Sequence, residues 1–306
     1  MDKQIGFIGC GNMGMAIIGG MLNKHIVSSN HIICSDLNTT NLENASEKYG
    51  ITITTDNNEV AKNADILILS IKPDLYPLVI NEIKEVIKND AIIVTIAAGK
   101  SIESTENAFN KKLKVVRVMP NTPALVGEGM SALCPNEMVT EKDLEDVLNI
   151  FNSFGQSEIV SEKLMDVVTS VSGSSPAYVY MIIEAMADAA VLDGMPRNQA
   201  YKFAAQAVLG SAKMVLETGI HPGELKDMVC SPGGTTIEAV ATLEEKGLRT
   251  AIIQLCNVVH KSLSNYLVKR KSKTIKEITL VMNFIRNALH DKRPNSNLLE
   301  FSRFSC

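Results

Sequence analysis

The fold of this chain is decided by one N-terminal segment, Ile5-Gly6-Phe7-Ile8-Gly9-Cys10-Gly11-Asn12-Met13-Gly14. It begins as a mostly apolar run typical of a buried strand and continues into the pattern G-x-G-x-x-G. In that pattern Gly9 permits the tight turn from strand to helix, Gly11 lets the backbone approach a pyrophosphate, and Gly14 lets the helix pack on the strand. The helix then offers free N–H groups to the phosphates. The segment therefore predicts a dinucleotide-binding β-turn-α unit.

Strand-like and helix-like segments alternate over the first half of the chain, which predicts a parallel, doubly wound sheet. The predicted strands are Gln4–Ile8, Ile32–Ser35, Ile66–Ser70, Ala91–Ile96 and Val115–Met119. The predicted helices between them are Met13–Leu22, Asn41–Tyr49, Leu75–Lys88 and Ser101–Phe109. A helix at Glu141–Phe154 and a short strand at Ser157–Val160 would close this domain.

After about residue 161 the strand signals stop and alanine-rich helical segments follow. The predicted helices are Leu164–Val171, Pro176–Asp193, Arg197–Thr218 and Thr236–Lys246. We therefore expect an α/β protein, with an N-terminal Rossmann-like doubly wound sheet followed by an all-helical dimerisation domain. The predicted boundaries are residues 1–160 for the dinucleotide-binding domain, 161–270 for the helical domain, and 271–306 for a basic C-terminal extension of unknown role.

Composition excludes several classes of protein. The 306 residues are 45% hydrophobic and 21% charged, with a net charge of −4, which argues against nucleic acid or an anionic membrane as the main partner. No continuous apolar run approaches the ~20 residues needed to span a bilayer. The start Met1-Asp2-Lys3-Gln4 leads straight into a strand and lacks a signal-peptide pattern, so we expect a cytoplasmic location.

The cysteines, the histidines and one basic run carry no clear chemical signature. The six cysteines and five histidines are scattered, so we expect no disulfide framework and no metal site. The run Lys269-Arg270-Lys271-Ser272-Lys273 fits a solvated helix end or tail better than a nucleic-acid patch.

The end of the second predicted strand bears on the choice of cofactor. There the carboxylate of Asp36, which follows Ser35, would accept hydrogen bonds from an adenosine ribose 2′-hydroxyl and repel a 2′-phosphate. This favours NADH at least as much as NADPH, unless Asp36 only caps the next helix. Two further segments, Ser70–Pro73 and Ala97–Gly99, follow strands at the same edge of the sheet, where small residues leave room for a nicotinamide ring.

Longer motifs later in the chain carry a family resemblance. They are Val171–Tyr178, with the sequence VSGSSPAY, and His221–Ile237, with the sequence HPGELKDMVCSPGGTTI. Together with Phe7–Gly14 and the segment RVMPNTP at Arg117–Pro123, they closely resemble pyrroline-5-carboxylate reductase. That enzyme makes L-proline from 1-pyrroline-5-carboxylate. The likeness runs from about residue 3 to Gln254.

The resemblance implies hydride transfer from NADPH or NADH to the C=N bond of 1-pyrroline-5-carboxylate, in a homodimer or a higher homo-oligomer such as a decamer. It implies cofactor contacts at Phe7, Ile8, Gly9, Cys10, Gly11, Asn12, Asn57, Ser70, Ile71, Lys72, Pro73, Ala97, Ala98 and Gly99. The glycine motif and the end of the second strand add Met13, Gly14, Ser35 and Asp36 to the predicted cofactor site. The implied substrate contacts are Ser231, Gly233, Gly234, Thr235 and Thr236.

The segment Ser231–Thr236 also has a physical reason to bind an anion. It is a turn that leads into a helix, and consecutive backbone N–H groups at such a place form an anion-binding nest suited to the substrate carboxylate. We assign the catalytic hydrogen bond to Thr236, whose hydroxyl would contact the ring nitrogen. The alternative is that these serine and threonine side chains only cap the helix.

Two other kinds of function are compatible with a dinucleotide-binding domain followed by a helical domain. A β-hydroxyacid dehydrogenase, or another imine reductase of the same two-domain plan, is the enzymatic alternative. A hydroxyacid enzyme must reprotonate an alkoxide, commonly with a lysine on the helix after the glycine turn, and Gly173–Tyr178 contains no lysine. A non-catalytic NAD(P)-binding module is a further alternative, and the intact Ser231–Thr236 segment argues against it.

Overall fold

The computed structural model describes residues 1–263, and Met1–His260 form one compact unit. The predicted basic extension at 271–306 and the last residues of the predicted helical domain lie outside the described residues.

The first half of the chain forms one eight-stranded sheet with the order β3-β2-β1-β4-β5-β6-β7-β8. All neighbouring strands pair in parallel except β6 and β7, which are antiparallel. The predicted doubly wound sheet is therefore confirmed, with one antiparallel pair that the alternation did not indicate. The strands are β1 (Ile5–Ile8), β2 (Ile32–Ser35), β3 (Thr52–Thr54), β4 (Ile66–Leu69), β5 (Ile92–Thr95), β6 (Lys114–Met119), β7 (Gly129–Pro135) and β8 (Gly155–Ile159).

Helices cover both faces of the sheet, and each face has its own apolar core. Ile66 and Ile68 of β4 belong to one core, whereas Leu67 and Leu69 of the same strand belong to the other. Alternate side chains point to opposite faces of a strand, so a strand covered on both faces is apolar throughout. The helices are α1 (Asn12–Asn23), α2 (Thr39–Tyr49), α3 (Asn57–Asn63), α4 (Tyr76–Ile83), α5 (Ile102–Phe109) and α6 (Glu141–Asn152).

Three elements of the sheet domain escaped the sequence analysis. The strand β3 has only three residues, two of them threonines, and α3 is a polar seven-residue helix. The strand β7 begins at a glycine and ends at a proline, so it lacks a clear alternation. The helix predicted at Leu75–Lys88 is shorter than expected, because regular helix in α4 ends at Ile83.

From Glu162 to residue 263 every regular element is helical. The predicted helix Leu164–Val171 is wrong in detail, because the chain forms a short α-helix and then a π-helical turn at Thr169–Gly173. The seven-residue helix α10 was not predicted, since prolines and glycines surround it. The elements are α7 (Met165–Val168), α8 (Ser175–Leu192), α9 (Arg197–Thr218), α10 (Pro222–Met228), α11 (Thr235–Glu245) and helical backbone over residues 248–263.

The helical region exposes much apolar surface in the single chain. Within the stretch Glu162–Leu192, the most apolar window of 18 residues has a mean hydropathy of 1.2, and only 6% of that window is buried. By length and composition alone it could cross a membrane, although it contains no continuous apolar run of about 20 residues. Exposed apolar patches of this kind mark surfaces that bind another molecule.

Candidate active site

The turn between β1 and α1 is packed where the backbone must be tight and open where a phosphate would lie. Gly9 has φ +101°, and a Cβ there would lie 2.3 Å from the carbonyl oxygen of Ser70. A Cβ at Gly14 would lie 2.6 Å from the carbonyl oxygen of Gly9. In contrast, a Cβ at Gly11 would meet nothing within 4 Å, and no side chain caps α1. This arrangement fits a dinucleotide pyrophosphate at the start of α1.

Asp36 joins the end of β2 to the glycine turn. Its Oδ2 atom accepts a 2.6 Å hydrogen bond from the backbone N–H of Cys10, and its Oδ1 atom accepts one from the N–H of Asn38 at 2.8 Å. The cap of α2 is Asn38, whose side chain accepts from the N–H of Thr40. The alternative that Asp36 only caps the next helix is therefore wrong.

Three polar side chains form a hydrogen-bonded row at the same edge of the sheet. The hydroxyl of Ser35, which is fully buried, donates to Oδ1 of Asn57 at 2.7 Å. Nδ2 of Asn57 in turn donates to Oε2 of Glu82 at 2.9 Å. Sequence analysis missed Glu82 because it lies on α4, 25 residues from Asn57, in a segment without a motif.

A cavity of about 300 Å³ opens beside the glycine turn, where the strands β4, β5 and β6 end. It combines two segments that the sequence predicted for the cofactor with two residues that it did not assign, Ile96 and Pro120. Both could have been found, because Ile96 is the last residue of one predicted strand and Pro120 directly follows another. The lining residues are Met13, Ser70, Ile71, Lys72, Pro73, Ile96, Ala97, Ala98 and Pro120.

A buried tyrosine, Tyr76, forms hydrogen bonds at the ends of two strands beside this cavity. The hydroxyl of Tyr76 lies 2.6 Å from Oγ1 of Thr95 and 3.2 Å from the carbonyl oxygen of Leu69. It thus links the ends of β4 and β5. Burial raises the pKa of Tyr76 well above its usual range, so the phenol stays neutral at physiological pH.

The predicted cofactor residues divide into two groups by exposure. Those within reach of a ligand are Gly11, Asn12, Met13, Asp36, Asn57, Ser70, Ile71, Lys72, Pro73, Ala98 and Gly99. The buried ones are Phe7, Ile8, Gly9, Cys10, Gly14, Ser35 and Ala97. The buried group shapes the site through the backbone and through packing.

The segment Ser231–Thr236 has the geometry of a nest. Gly233 has φ +67°, and the N–H of Gly234 donates to the carbonyl oxygen of Ser231 at 3.0 Å. No side chain caps α11, which starts at Thr235, so its first backbone N–H groups remain available. Thr235 and Thr236 are exposed, and neither lines the cavity. The single chain therefore does not bring the predicted substrate residues into the predicted nicotinamide cavity.

Two polar side chains, Arg117 and Asn121, fix the start of the helical region against the sheet near the cavity. Arg117, which is only 9% exposed, pairs with Glu162 at 3.2 Å and with Asp166 at 3.4 Å. Nδ2 of Asn121 donates to the hydroxyl of Ser172 at 3.2 Å. The motifs around Arg117 and Ser172 are therefore partly structural, since they join the two regions.

Two family models match the chain. One, described as pyrroline-5-carboxylate reductase dimerisation, matches residues 162–265. The other, described as NADP oxidoreductase coenzyme F420-dependent, matches residues 4–99. The matches agree with the order of a nucleotide-binding sheet and a helical dimerisation region.

Curated relatives and solved structures agree with these matches. The chain is 54% identical over 254 residues to pyrroline-5-carboxylate reductase from Escherichia coli, covering 83% of this chain and 94% of that protein. It is 46% identical to the reductase from Methanosarcina acetivorans over 252 residues, covering 82% of this chain and 93% of that protein.

A solved pyrroline-5-carboxylate reductase from Coxiella burnetii superimposes with a TM-score of 0.82 at 32% identity, covering 87% of this chain and 98% of that one. A Plasmodium falciparum pyrroline carboxylate reductase with NADP bound gives a TM-score of 0.79 at 31% identity, with the same two coverages. These likenesses agree with the glycine turn, the cavity at the strand ends and the helical second half of the chain. The chain therefore belongs to the pyrroline-5-carboxylate reductase family.

Proposed function

We propose that this protein reduces the C=N bond of 1-pyrroline-5-carboxylate with NAD(P)H to give L-proline. The observation that carries the proposal is the open space at Gly11 directly beside the 300 Å³ cavity at the strand ends. Ligands of open α/β sheets bind outside the carboxyl ends of the strands, where this cavity lies. The 54% identity to a curated reductase supports the substrate.

The chain's own part in the reaction is mainly binding and orientation. A reduced nicotinamide, when bound, supplies the hydride that the imine carbon accepts. Because a cyclic imine can be protonated before the reaction, the hydride discharges a cation and no alkoxide forms. The walls of the cavity, including Ile96, Ala98 and Pro120, hold a flat ring at a fixed position.

We assign substrate binding to the nest Ser231–Thr236. Its backbone N–H groups bind the carboxylate, and the Thr236 hydroxyl contacts the ring nitrogen. The nest lies outside the cavity in one chain and within the region that matches a dimerisation model. We therefore propose that a second copy supplies the nest to the cavity. Exposed apolar side chains in this region, such as Phe203 and Leu216, support association of two copies.

Mixing two impaired variants tests this arrangement. Gly11→Ala damages the cofactor cradle and Thr236→Ala damages the nest. In a mixed dimer with shared sites, one site carries both defects and the other carries neither. Co-expressed, differently tagged variants should therefore regain activity in the purified mixed dimer, up to half that of the unmodified dimer. If each chain builds its own complete site, the activity of the mixed dimer stays as low as that of its parents.

The cofactor preference follows from Asp36. Its carboxylate, held by the N–H groups of Cys10 and Asn38, can accept a hydrogen bond from a ribose 2′-hydroxyl and would repel a 2′-phosphate. We propose that NADH is used at least as readily as NADPH. The ratio of kcat/KM for the two cofactors tests this, and a strong preference for NADPH would contradict it.

Several finer expectations remain proposals. They are assembly of dimers into a decamer, a cytoplasmic location, and the absence of nucleic acid or membrane as a partner. Among residues 1–263, the apolar stretch Glu162–Leu192 overlaps the dimerisation region, which favours a second copy of the chain over a bilayer as its cover. No observation favours the hydroxyacid dehydrogenase, another imine reductase or a non-catalytic module.

A further inference from the structure

We propose that Glu82 is a positioning residue that biases this protein towards NADH, by fixing the Asn57 amide and by adding a second negative charge near the adenosine ribose. The inference rests on the proposed function, because it concerns the cofactor of that reaction. It is carried by the row Ser35–Asn57–Glu82 at the ends of β2 and β3.

The geometry fixes the orientation of the Asn57 amide. An ionised carboxylate only accepts hydrogen bonds, so Glu82 requires the Nδ2 end of Asn57 to face it, at 2.9 Å. The Oδ1 atom then faces Ser35, whose hydroxyl must donate to it at 2.7 Å. The single hydroxyl proton of Ser35 is thereby committed within the protein.

This arrangement suits a hydroxyl better than a phosphate. A ribose 2′-hydroxyl can donate as well as accept, whereas a phosphate only accepts and needs several donors. Next to the row, Asp36 already accepts from Cys10 and Asn38. Asp36 and Glu82 thus place two carboxylates on this side of the predicted cofactor site, where a phosphate would need donors.

The expected effect follows from Coulomb's law. A carboxylate repels a nearby phosphate of charge about −2, and salt screens that repulsion. Removing the charge of Glu82 should therefore improve NADP⁺ binding by roughly three- to tenfold at low ionic strength. The gain should shrink as salt is added, because Glu82 is exposed to solvent.

Two substitutions separate the charge of Glu82 from its hydrogen bond. Glu82→Gln removes the charge but keeps an oxygen that can accept from Asn57. Glu82→Ala removes both, so it should also weaken NAD⁺ binding by about two- to tenfold, the effect of one lost hydrogen bond. A matched control is Glu85→Gln, which removes an exposed carboxylate just beyond α4 that pairs with Lys111 at 3.7 Å.

The experiment is calorimetric titration of the full chain and these three variants with NAD⁺ and with NADP⁺, at low and at high salt. Kinetics with both reduced cofactors would accompany it. We expect Glu82→Gln to tighten NADP⁺ by three- to tenfold at low salt and to change NAD⁺ less than twofold. Glu85→Gln should leave the ratio of the two dissociation constants unchanged.

The outcomes distinguish failure of the role of Glu82 from failure of the proposed function. If the unmodified protein binds and oxidises the cofactor but Glu82→Gln leaves the ratio of dissociation constants unchanged, Glu82 has no such role. An equal shift in Glu85→Gln would contradict it as well, because the effect would then be one of overall charge. Failure of the unmodified protein to bind either cofactor would overturn the proposed function together with this inference.

Discussion

Substituting Gly11 by alanine should weaken cofactor binding and leave the fold intact. Gly11 has φ −75°, which alanine adopts without strain, and its added methyl group would meet no protein atom within 4 Å. The free energy of unfolding should therefore change by less than about 1 kcal/mol. The same methyl group would occupy the space in which the pyrophosphate approaches the backbone. Overpacking of this kind costs ~1–3 kcal/mol, which is about a 5- to 150-fold loss of affinity.

Gly14→Ala is the matched comparison. Its methyl group would lie 2.6 Å from the carbonyl oxygen of Gly9, so the start of α1 must move and the protein should be destabilised by about 1–3 kcal/mol. Urea unfolding and titration with NADH would be measured for both variants. Normal NADH affinity in a folded Gly11→Ala protein would refute the reasoning, because the pyrophosphate would then not pass over this residue.

Three further changes test other parts of the structure. Thr236→Ala should lower kcat/KM for 1-pyrroline-5-carboxylate by ~10-fold or more without changing NADH affinity, and unchanged kinetics would remove Thr236 from its role. Tyr76→Phe should reduce the free energy of unfolding by about 1–3 kcal/mol, since it leaves the buried Thr95 hydroxyl without its 2.6 Å partner; an unchanged urea midpoint would contradict this. Burial alone would raise the pKa of Asp143, but hydrogen bonds from Lys114 and Thr140 outweigh it and lower the pKa to about 2. The resulting stabilisation, on the order of 2 kcal/mol, is present above about pH 4 and is lost as the pH falls towards 2, so Asp143→Asn should flatten the pH dependence of unfolding in that window.

The sequence reveals those strands that are buried on both faces. β1, β2, β4 and β5 are short apolar runs between helical segments, and each was predicted within one or two residues. The three-residue strand β3 escaped because its two threonines resemble a loop. The antiparallel pairing of β7 with β6 is a property of the tertiary structure, and no local pattern in the chain encodes it.

The candidate site was predictable wherever backbone conformation demands particular residues. Close approaches to backbone atoms require glycine at Gly9 and Gly14, so the glycine motif in the sequence predicts both positions. Glu82 was not predictable, because its contact with Asn57 depends on how α4 packs beside α3. The separation of Thr236 from the cavity was also not predictable, because the sequence does not show whether two parts of a site belong to one chain or to two copies.

The most direct test of the central claim is to follow the transferred hydrogen itself. The purified protein would be given 1-pyrroline-5-carboxylate and NADH that carries deuterium at the reactive position of the nicotinamide ring. Mass spectrometry would then locate the label in the product. The account predicts proline with one deuterium on the ring carbon that was doubly bonded to nitrogen. Cofactor binding without labelled proline, under conditions in which the Escherichia coli relative produces it, would contradict the account.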